Sequence, residues 1–556
     1  MMVSWTVRTP SECSAMVIYG NPAWGLAGGD LVVAQRKDIF SSKVSLNMLT
    51  NIIRTVLMAL AGLLMVPYYI DQFGIATYAI LPLATTVTNY FVIISDSLSN
   101  AFSRYMTISA QAGDTNRVNV VFTSSVIGMG KCMLIMAPVA VLIALASPYV
   151  FQVEDSYADV QIMFLLIMAT SMMISFGATL GGVYMAHNSL YVTYISRSLQ
   201  TLSQVGVVLF LLSSQGLGLT PSLPIIGVSF AISGVLMLLA MVLMMKRVCP
   251  TIEFRRRLYD RGLLKEMGNL GIWAMIVELG SLLFIQASLV VANLMLGPET
   301  QGQFAIAANV IMLVHTACTA LAAVSLPLIY REYATGDFNE LIRVLKLFSK
   351  FVGITMTFPL AYAIVFLPEI LGVWLGQDYP RLYDMLYIML PVEVLICTTS
   401  VLSDIPVVFA RVKPLAMATF ILGLTNVVSA ELLIHFTDVG VIGVCVCWAA
   451  SMILLKLIFY PFFCNKLTGG GLKAYFAPIL EAYAVFLICL AGLWGLSQLF
   501  VMPMNWAGIA LPFVPLFLLF FILEMRFVFD KDEMRIIKTY LPRFVQRFIS
   551  RLSDRV

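Results

Sequence analysis

The chain has 556 residues, 60% of them hydrophobic and 12% charged, with a formal net charge of +4 and a mean hydropathy of +0.92. Soluble globular proteins carry about 25% charged residues, so the deficit excludes a soluble chain and requires an integral membrane protein. Neither a nucleic-acid partner nor a cofactor is expected. Cys132, Cys318, Cys397, Cys445, Cys447 and Cys489 sit in apolar runs, where cysteine packs as a small hydrophobe. Cys445 and Cys447 point to different faces of a helix, and His187, His315 and His435 are too dispersed for a zinc signature, so no metal site is expected.

In chain order, residues 1–40 read as a flexible cytoplasmic tail, broken by Pro10 and Pro22 and lacking an apolar run long enough for a signal peptide. A helix crosses the bilayer in about 20 apolar residues. That rule predicts six spans over 46–70, 75–99, 121–146, 160–185, 190–213 and 223–245. Eight more follow at 268–296, 304–329, 344–367, 383–408, 414–436, 439–464, 475–500 and 506–525. The expected fold class is an all-α membrane protein of fourteen spans. Its expected organisation is an N-lobe over 41–245, a basic cytoplasmic hinge over 246–267, a C-lobe over 268–464, a last helix pair over 465–525 and a basic tail over 526–556. In that tail Arg543, Arg547, Arg551 and Arg555 recur beside Phe544 and Phe548. This pattern reads either as an amphipathic helix on the anionic inner leaflet or as a solvated tail.

The hinge joins two halves with the same punctuation. Gly113-Asp114 follows the second span of the first half, and Gly336-Asp337, 223 residues later, follows the second span of the other. Gly74 and Gly297, each closing a first span, are also 223 residues apart. Such a spacing predicts an internal duplication. Orientation follows from the connections: with the N-terminus inside, Arg104, Arg117, the hinge, Arg331, Arg343, Arg411, Lys413, Lys466 and Lys473 are cytoplasmic, and Arg381 falls outside. The positive-inside rule therefore predicts cytoplasmic N- and C-termini in a multi-pass protein of the cell membrane.

Ionisable groups at membrane depth mark cavities or buried partners. Asn47, Asn51 and Arg54 fall on one helical stripe. Position 277 lies 223 residues beyond Arg54, and Glu278 adjoins it, which predicts a common site at the repeat interface, a structural ion pair or two separate contacts within the lobes. Thr85, Asn89, Asp96 and Asn100 form a second stripe running toward Arg104, and Gln286 and Asn293 continue the face of Glu278. Arg197 stands mid-helix beside Ser196, Ser198 and Gln200. The candidate binding residues are thus Arg54, Arg104, Arg197, Asn51, Asn89 and Gln286. Asp96 and Glu278 are the candidates for a coupling cation, proton or sodium; Asp96 also reads as a bond partner of Arg54 or Arg104. No catalytic residue is assigned.

Leu46-Asn47-Met48 with Pro67, the run Phe73-Gly74-Ile75-Ala76-Thr77-Tyr78, Arg104 and Gly113-Asp114 resemble the polysaccharide transporter branch of the multidrug/oligosaccharidyl-lipid/polysaccharide (MOP) exporter superfamily. Leu296-Gly297 through Phe304, and Arg331 through Asp337, resemble its second-half signatures. The resemblance spans residues 40–525. It implies two pseudo-symmetric six-helix lobes in a V around a central cavity, with two further C-terminal helices. It also implies a monomeric, O-antigen-flippase-like transporter that moves a polyprenyl- or dolichyl-diphosphate-linked oligosaccharide by alternating access, for assembly of a surface polysaccharide or glycan. Multidrug exporters of the superfamily carry an acid within the first helix, whereas here Asp71 lies at its outer end. A cation-coupled exporter of small amphiphiles is the nearest rival. A membrane glycosyltransferase or polymerase is the rival of another class, and it would need an acidic catalytic motif in a substantial outer loop.

Overall fold

A computed structural model describes residues 42–213, 219–499, 503–530 and 533–534. The expected tail over 1–40 and the arginine-rich segment from Arg543 lie outside them. Among the described residues fourteen helices are long and apolar enough to span a bilayer. The first six are α1 (Leu46–Phe73), α2 (Ile75–Ala110), α3 (Thr115–Val150), α4 (Tyr157–Ala186), α5 (Tyr191–Leu212) and α6 (Leu223–Val248). The next six are α7 (Met275–Leu296), α8 (Pro298–Thr335), α9 (Phe338–Val365), α10 (Pro380–Val408), α11 (Val412–Phe436) and α12 (Val441–Thr468). Last come α13 (Leu472–Ser497) and α14 (Trp506–Phe527).

Several helices outrun their apolar cores, because polar residues extend a helix beyond the hydrocarbon at no desolvation cost. α2 reaches eleven residues past Ser99, carrying Arg104 with it. Three helices change pitch just before a proline, which withholds the N–H that the carbonyl four residues back would accept. A 3₁₀ turn at Ala323–Ser325 precedes Pro327, another at Ser400–Asp404 precedes Pro406, and a π turn at Leu454–Phe459 precedes Pro461. The Leu402 carbonyl, which Pro406 cannot serve, accepts instead from the Cys464 thiol at 3.7 Å.

The packing repeats with the chain. In the first six helices α1 lies on α5, α2 on α4, and α4 on α6; in the next six α7 lies on α11, α8 on α10, and α10 on α12. The two groups meet where α2 packs on α7 and α8. The repeated glycines serve the same purpose in each half. Gly74 (φ 79°, ψ 163°) and Gly297 (φ 87°, ψ 170°) begin α2 and α8 in a backbone region open essentially to glycine alone. Asp114 and Asp337 each cap the helix that follows, accepting from Arg117 N and from Asn339 N and Glu340 N. The helices α13 and α14 pack on the second group, chiefly along α9, where Lys350 bonds Glu481 and Glu533 at 3.3 Å each.

The basic connection is fastened to α3. Asn119 donates to Thr251 O at 3.2 Å and accepts from Glu253 N at 3.0 Å, Ser124 Oγ accepts from Asp260 N at 2.9 Å, and Lys131 Nζ bonds the Tyr259 hydroxyl at 3.0 Å. Its Arg255, Arg256 and Arg257 stay exposed.

A close backbone-to-backbone crossing within the second group joins α7 and α11. A Cβ on Gly280 would stand 2.8 Å from Phe420 N, and one on Gly423 2.7 Å from Gly280 O. Beside them the buried Asn426 amide donates to Leu283 O, Phe284 O and Ser288 Oγ at 3.1–3.2 Å. In a bilayer, close small-residue contacts and such bonds are what hold helices together. Backbone cannot swing aside, so Gly280→Ala is expected to cost about 1–3 kcal/mol, the usual range for overpacking. The purified variant should melt several degrees lower, and an unchanged melting curve would show the crossing to be slack.

Candidate functional site

A cavity of about 390 Å³ opens between the first group and α8. Helical spacing supplies its walls. Along α1, Arg54, Met58 and Gly62 recur every four residues. Along α5, Arg197, Gln200, Thr201 and Gln204 follow at three and four, and α2 adds Tyr78, Pro82 and Thr85. Asn309 closes it from α8, its amide donating to the Tyr78 hydroxyl at 3.2 Å.

Arg54 and Arg197 give the cavity its charge. Among the described residues, no carboxylate comes within 4.0 Å of either, and Arg197 lies near enough to feel the charge of Arg54. Two guanidinium groups are thus held near each other without a paired anion. What holds them is the packing of α1 on α5, together with Asn47. Its amide donates to Asn188 Oδ1 at 3.0 Å, and its oxygen accepts from Tyr191 N at 2.8 Å.

The other predicted residues are dispersed around this centre. Asn51 is exposed, on α1 but away from the cavity lining. Asn89 is half-buried and also outside it. Arg104 lines a separate recess of about 340 Å³ with Asn100, Ser103 and Thr107. Gln286 bridges the two groups, accepting from Thr86 Oγ1 at 2.5 Å. Asp96 and Glu278 are both exposed, and Glu278 lies within reach of the Asp96 charge. The expected partnership of Arg54 with Glu278 is therefore not the one the helices make. Cation stands by cation and acid by acid, with Asp96 also in reach of Arg197. Asn293, expected on the face of Glu278, instead clasps the α3–α4 connection. It accepts from Gln152 N at 2.9 Å and donates to Gln152 O at 3.2 Å.

A second cavity of about 340 Å³ lies across α1 from the first. Leu63, Leu313, Leu367, Leu371, Trp374 and Trp506 make it apolar, and it shares Met58, Gly62 and Asn309 with its polar neighbour. Nothing stands within 4 Å of where a Gly62 Cβ would be, so the partition between the cavities is lowest there. One wall is tied to α1 by an unusual bond. Pro67 has no N–H to offer the Leu63 carbonyl four residues back, and the Trp374 indole, on the short helix Leu367–Leu375, donates to that oxygen at 2.6 Å. This bond, the Asn293–Gln152 clasp and the approach of Gly302 to Ile75 O all join the two groups near the ends of α1 and α7 that carry Gly74 and Gly297. Toward the opposite rim Asn51, Asp96, Asn100, Arg104 and Glu278 are exposed.

Sequence reasoning missed Gln204, Asn309 and the apolar cavity. Gln204 was readable, lying seven residues beyond Arg197 on the same helix face. Asn309 comes from the other group, and no local pattern points to it.

A protein-family profile described as polysaccharide biosynthesis protein matches residues 45–332. The uncharacterized membrane protein EpsK of Bacillus subtilis (strain 168) is 24% identical over 511 residues, covering 90% of this chain and 98% of EpsK. Among solved structures, an inward-facing MATE-family multidrug-resistance transporter of the MOP superfamily superposes with a TM-score of 0.63 at 13% identity, covering 78% of this chain and 99% of that one. A MOP-superfamily transporter from Pyrococcus furiosus, described as having a binding pocket of reverse polarity, gives 0.57 at 15% identity over 78% of this chain and 95% of its own. With the profile matching more than half of its length and the fold shared with MOP transporters, this multi-pass membrane protein belongs to the polysaccharide biosynthesis protein family.

Proposed function

We propose that this protein is a flippase that carries a polyprenyl- or dolichyl-diphosphate-linked oligosaccharide across the cell membrane by alternating access. The observation that carries the reading is the pair Arg54 and Arg197, facing one cavity without a carboxylate within 4.0 Å among the described residues, beside an apolar cavity that shares Met58, Gly62 and Asn309 with it. Arginine binds phosphate oxygens through a rigid fork of donors, and such charge-assisted bonds are the strong ones. The diphosphate would meet the arginines, and the first sugar would meet Gln200, Gln204 and Asn309. The leading part of the lipid would lie against Leu313, Leu371 and Trp374. A space of about 390 Å³ suits a diphosphate and a sugar, since ligand pockets span roughly 300–1,000 Å³.

The positive-inside rule, applied to the exposed basic connections, supports a cytoplasmic position for the rim that carries Asn100 and Arg104, and loading would begin there. A cysteine introduced at Glu154 or Asp378 should react with an impermeant maleimide in intact cells, and one at Arg256 only after permeabilisation. Reaction at Arg256 in intact cells would reverse the assigned direction. Proteoliposomes holding the purified chain and a fluorescent polyprenyl-diphosphate glycan test the function itself: the labelled headgroup should become accessible on the opposite leaflet, and no gain over protein-free vesicles would overturn the proposal.

The closeness of Asp96 and Glu278 supports a second reading, export of a small cationic amphiphile. The same vesicles loaded with a lipophilic cationic dye separate the two, because two unpaired arginines should repel it.

A further inference from the structure

The connection between the two helix groups is strongly basic, and its backbone is held in place. From the end of α6 to the helix start at Arg261 it presents Lys246, Arg247, Arg255, Arg256 and Arg257, all exposed. Arg255 pairs with Glu253. Among the described residues, none of the other four has a carboxylate within 4.0 Å. The acids that follow are engaged elsewhere: Asp260 accepts from Gly262 N and Leu263 N at the helix start, and Glu266 accepts from the Tyr105 hydroxyl at 2.8 Å. A solvated basic run needs no fixed course. This one is tied down by the Asn119, Ser124 and Lys131 bonds, with Arg255 N also donating to Thr123 Oγ1 at 3.4 Å and Leu264 lying against Gly128.

Its depth follows from the helices on either side. α6 shows Val242, Leu243 and Met244 to the outside, Leu243 at 63% exposure, and Lys246 and Arg247 come within the next turn, about 6 Å further on. On α3 the outward pair Leu134 and Ile135 has Lys131 one turn nearer the helix start, and the Lys131 ammonium reaches back to Tyr259, 4.4 Å from the ring centre. A lysine stem along apolar surface, with its head drawn to the polar layer, is what the edge of the hydrocarbon produces. The connection thus runs at headgroup level. Phe254, beside the arginines, is 49% exposed, and cations with an aromatic ring suit a membrane interface.

We propose that this connection binds acidic phospholipid through Arg256 and Arg257, with Lys246, Arg247 and Arg255 adding to the field, an inference that depends on neither the substrate nor the direction of transport. Each guanidinium offers a lipid phosphate a planar fork of donors. Arg256 and Arg257 are neighbours in the 3₁₀ turn Arg256–Leu258 and diverge by about a third of a turn, so they serve two headgroups rather than clasping one. An acidic protein is the weaker fit, because a soluble partner has no need of a surface set at the edge of the hydrocarbon. The same segment leads into the helix that begins at Arg261 and continues as α7. Headgroups bound here therefore also keep the start of that helix seated on α3.

The test needs no glycan. Full-length protein in a neutral detergent is titrated with phosphatidylglycerol or with phosphatidylcholine of the same acyl chains, and bound lipid is counted by native mass spectrometry. Wild type should retain phosphatidylglycerol in preference, and the preference should fade as salt is raised about tenfold. Arg256→Gln with Arg257→Gln should weaken phosphatidylglycerol binding roughly thirtyfold, the effect of two cations beside an anionic surface, while melting like wild type without lipid. Arg256→Lys with Arg257→Lys should keep most of the binding, a rescue that a merely structural role for the arginines would not give. Lys466→Gln with Lys473→Gln removes the same charge from another exposed connection and should leave binding nearly unchanged. Equal retention of the two lipids, an equal loss in the Lys466 and Lys473 pair, or wild-type binding by a folded glutamine pair overturns the proposal. Tighter binding of a polyglutamate peptide than of phosphatidylglycerol also overturns it and gives the surface to an acidic protein. If the glutamine pair fails to fold, the wild-type salt series decides, and binding of phosphatidylglycerol that salt does not weaken overturns the proposal.

Discussion

Arg54→Ala and Arg197→Ala are each expected to reduce translocation of a diphosphate-linked glycan to near background, with the protein still inserted and folded. Hydrogen bonds to charged groups contribute about 1.5–3 kcal/mol each, and every 1.4 kcal/mol is about tenfold in binding, so losing a two-bond fork removes productive loading. For Arg54→Ala stability should move little or rise slightly, because the two guanidinium groups face one cavity and repel each other; Arg197→Ala should gain less, because Arg197 is also attracted by Asp96. Arg54→Lys should keep part of the activity, since its charge survives although the fork is lost. The geometry also decides a compensation test. Were Arg54 paired with Glu278, Glu278→Gln would rescue Arg54→Ala; with Glu278 beside Asp96 instead, no rescue is expected. The measurement is headgroup accessibility in proteoliposomes beside a melting curve for each variant. Normal transport by a stable Arg54→Ala protein ends the assignment.

The second large effect concerns closure. Trp374→Phe should loosen the rim where α1 meets the short helix Leu367–Leu375. The Leu63 carbonyl has no helical donor because position 67 is proline, and the indole is its partner at 2.6 Å. Leaving a buried acceptor unmade costs about 1–3 kcal/mol, a shift of roughly five- to hundredfold in the closed-to-open ratio. Labelling of a cysteine at Gly62, which opens on both cavities, should rise accordingly from the side of Gly74 and Gly297. Pro67→Ala gives the same result by another route, since the new N–H takes the Leu63 carbonyl into the helix and releases Trp374. The double variant should add little to either single one, as for two residues sharing one interaction. Labelling unchanged in both single variants would mean that the bond does not hold the rim.

Much of the fold was legible because a bilayer imposes its thickness on the chain. A helix must offer about 20 apolar residues to cross it, and fourteen such runs stand out between polar turns. The duplication was legible for a different reason. A helix that must turn sharply at its end needs a residue that tolerates positive φ, so the two halves retain Gly74 with Gly297 and Gly113 with Gly336, all at φ 72–87°. Membership of the cavity was partly legible too. Periodicity says which residues share a helix face, and it put Arg54 on the inward stripe of α1 and set Arg197 among polar neighbours on α5.

What the sequence left open is which face meets which. Matched depth in the two halves suggested that Arg54 would face Glu278, yet α1 packs against α5 of its own group, so Arg54 meets Arg197. The same holds for Asn293, drawn to Gln152, and for the Leu63 carbonyl, whose donor Trp374 lies 311 residues away. Helical spacing fixes only the angle of a side chain about its own axis. The rotation of each helix against its neighbours is set by close packing around contacts such as Gly280 on Phe420, and only the assembled bundle decides it.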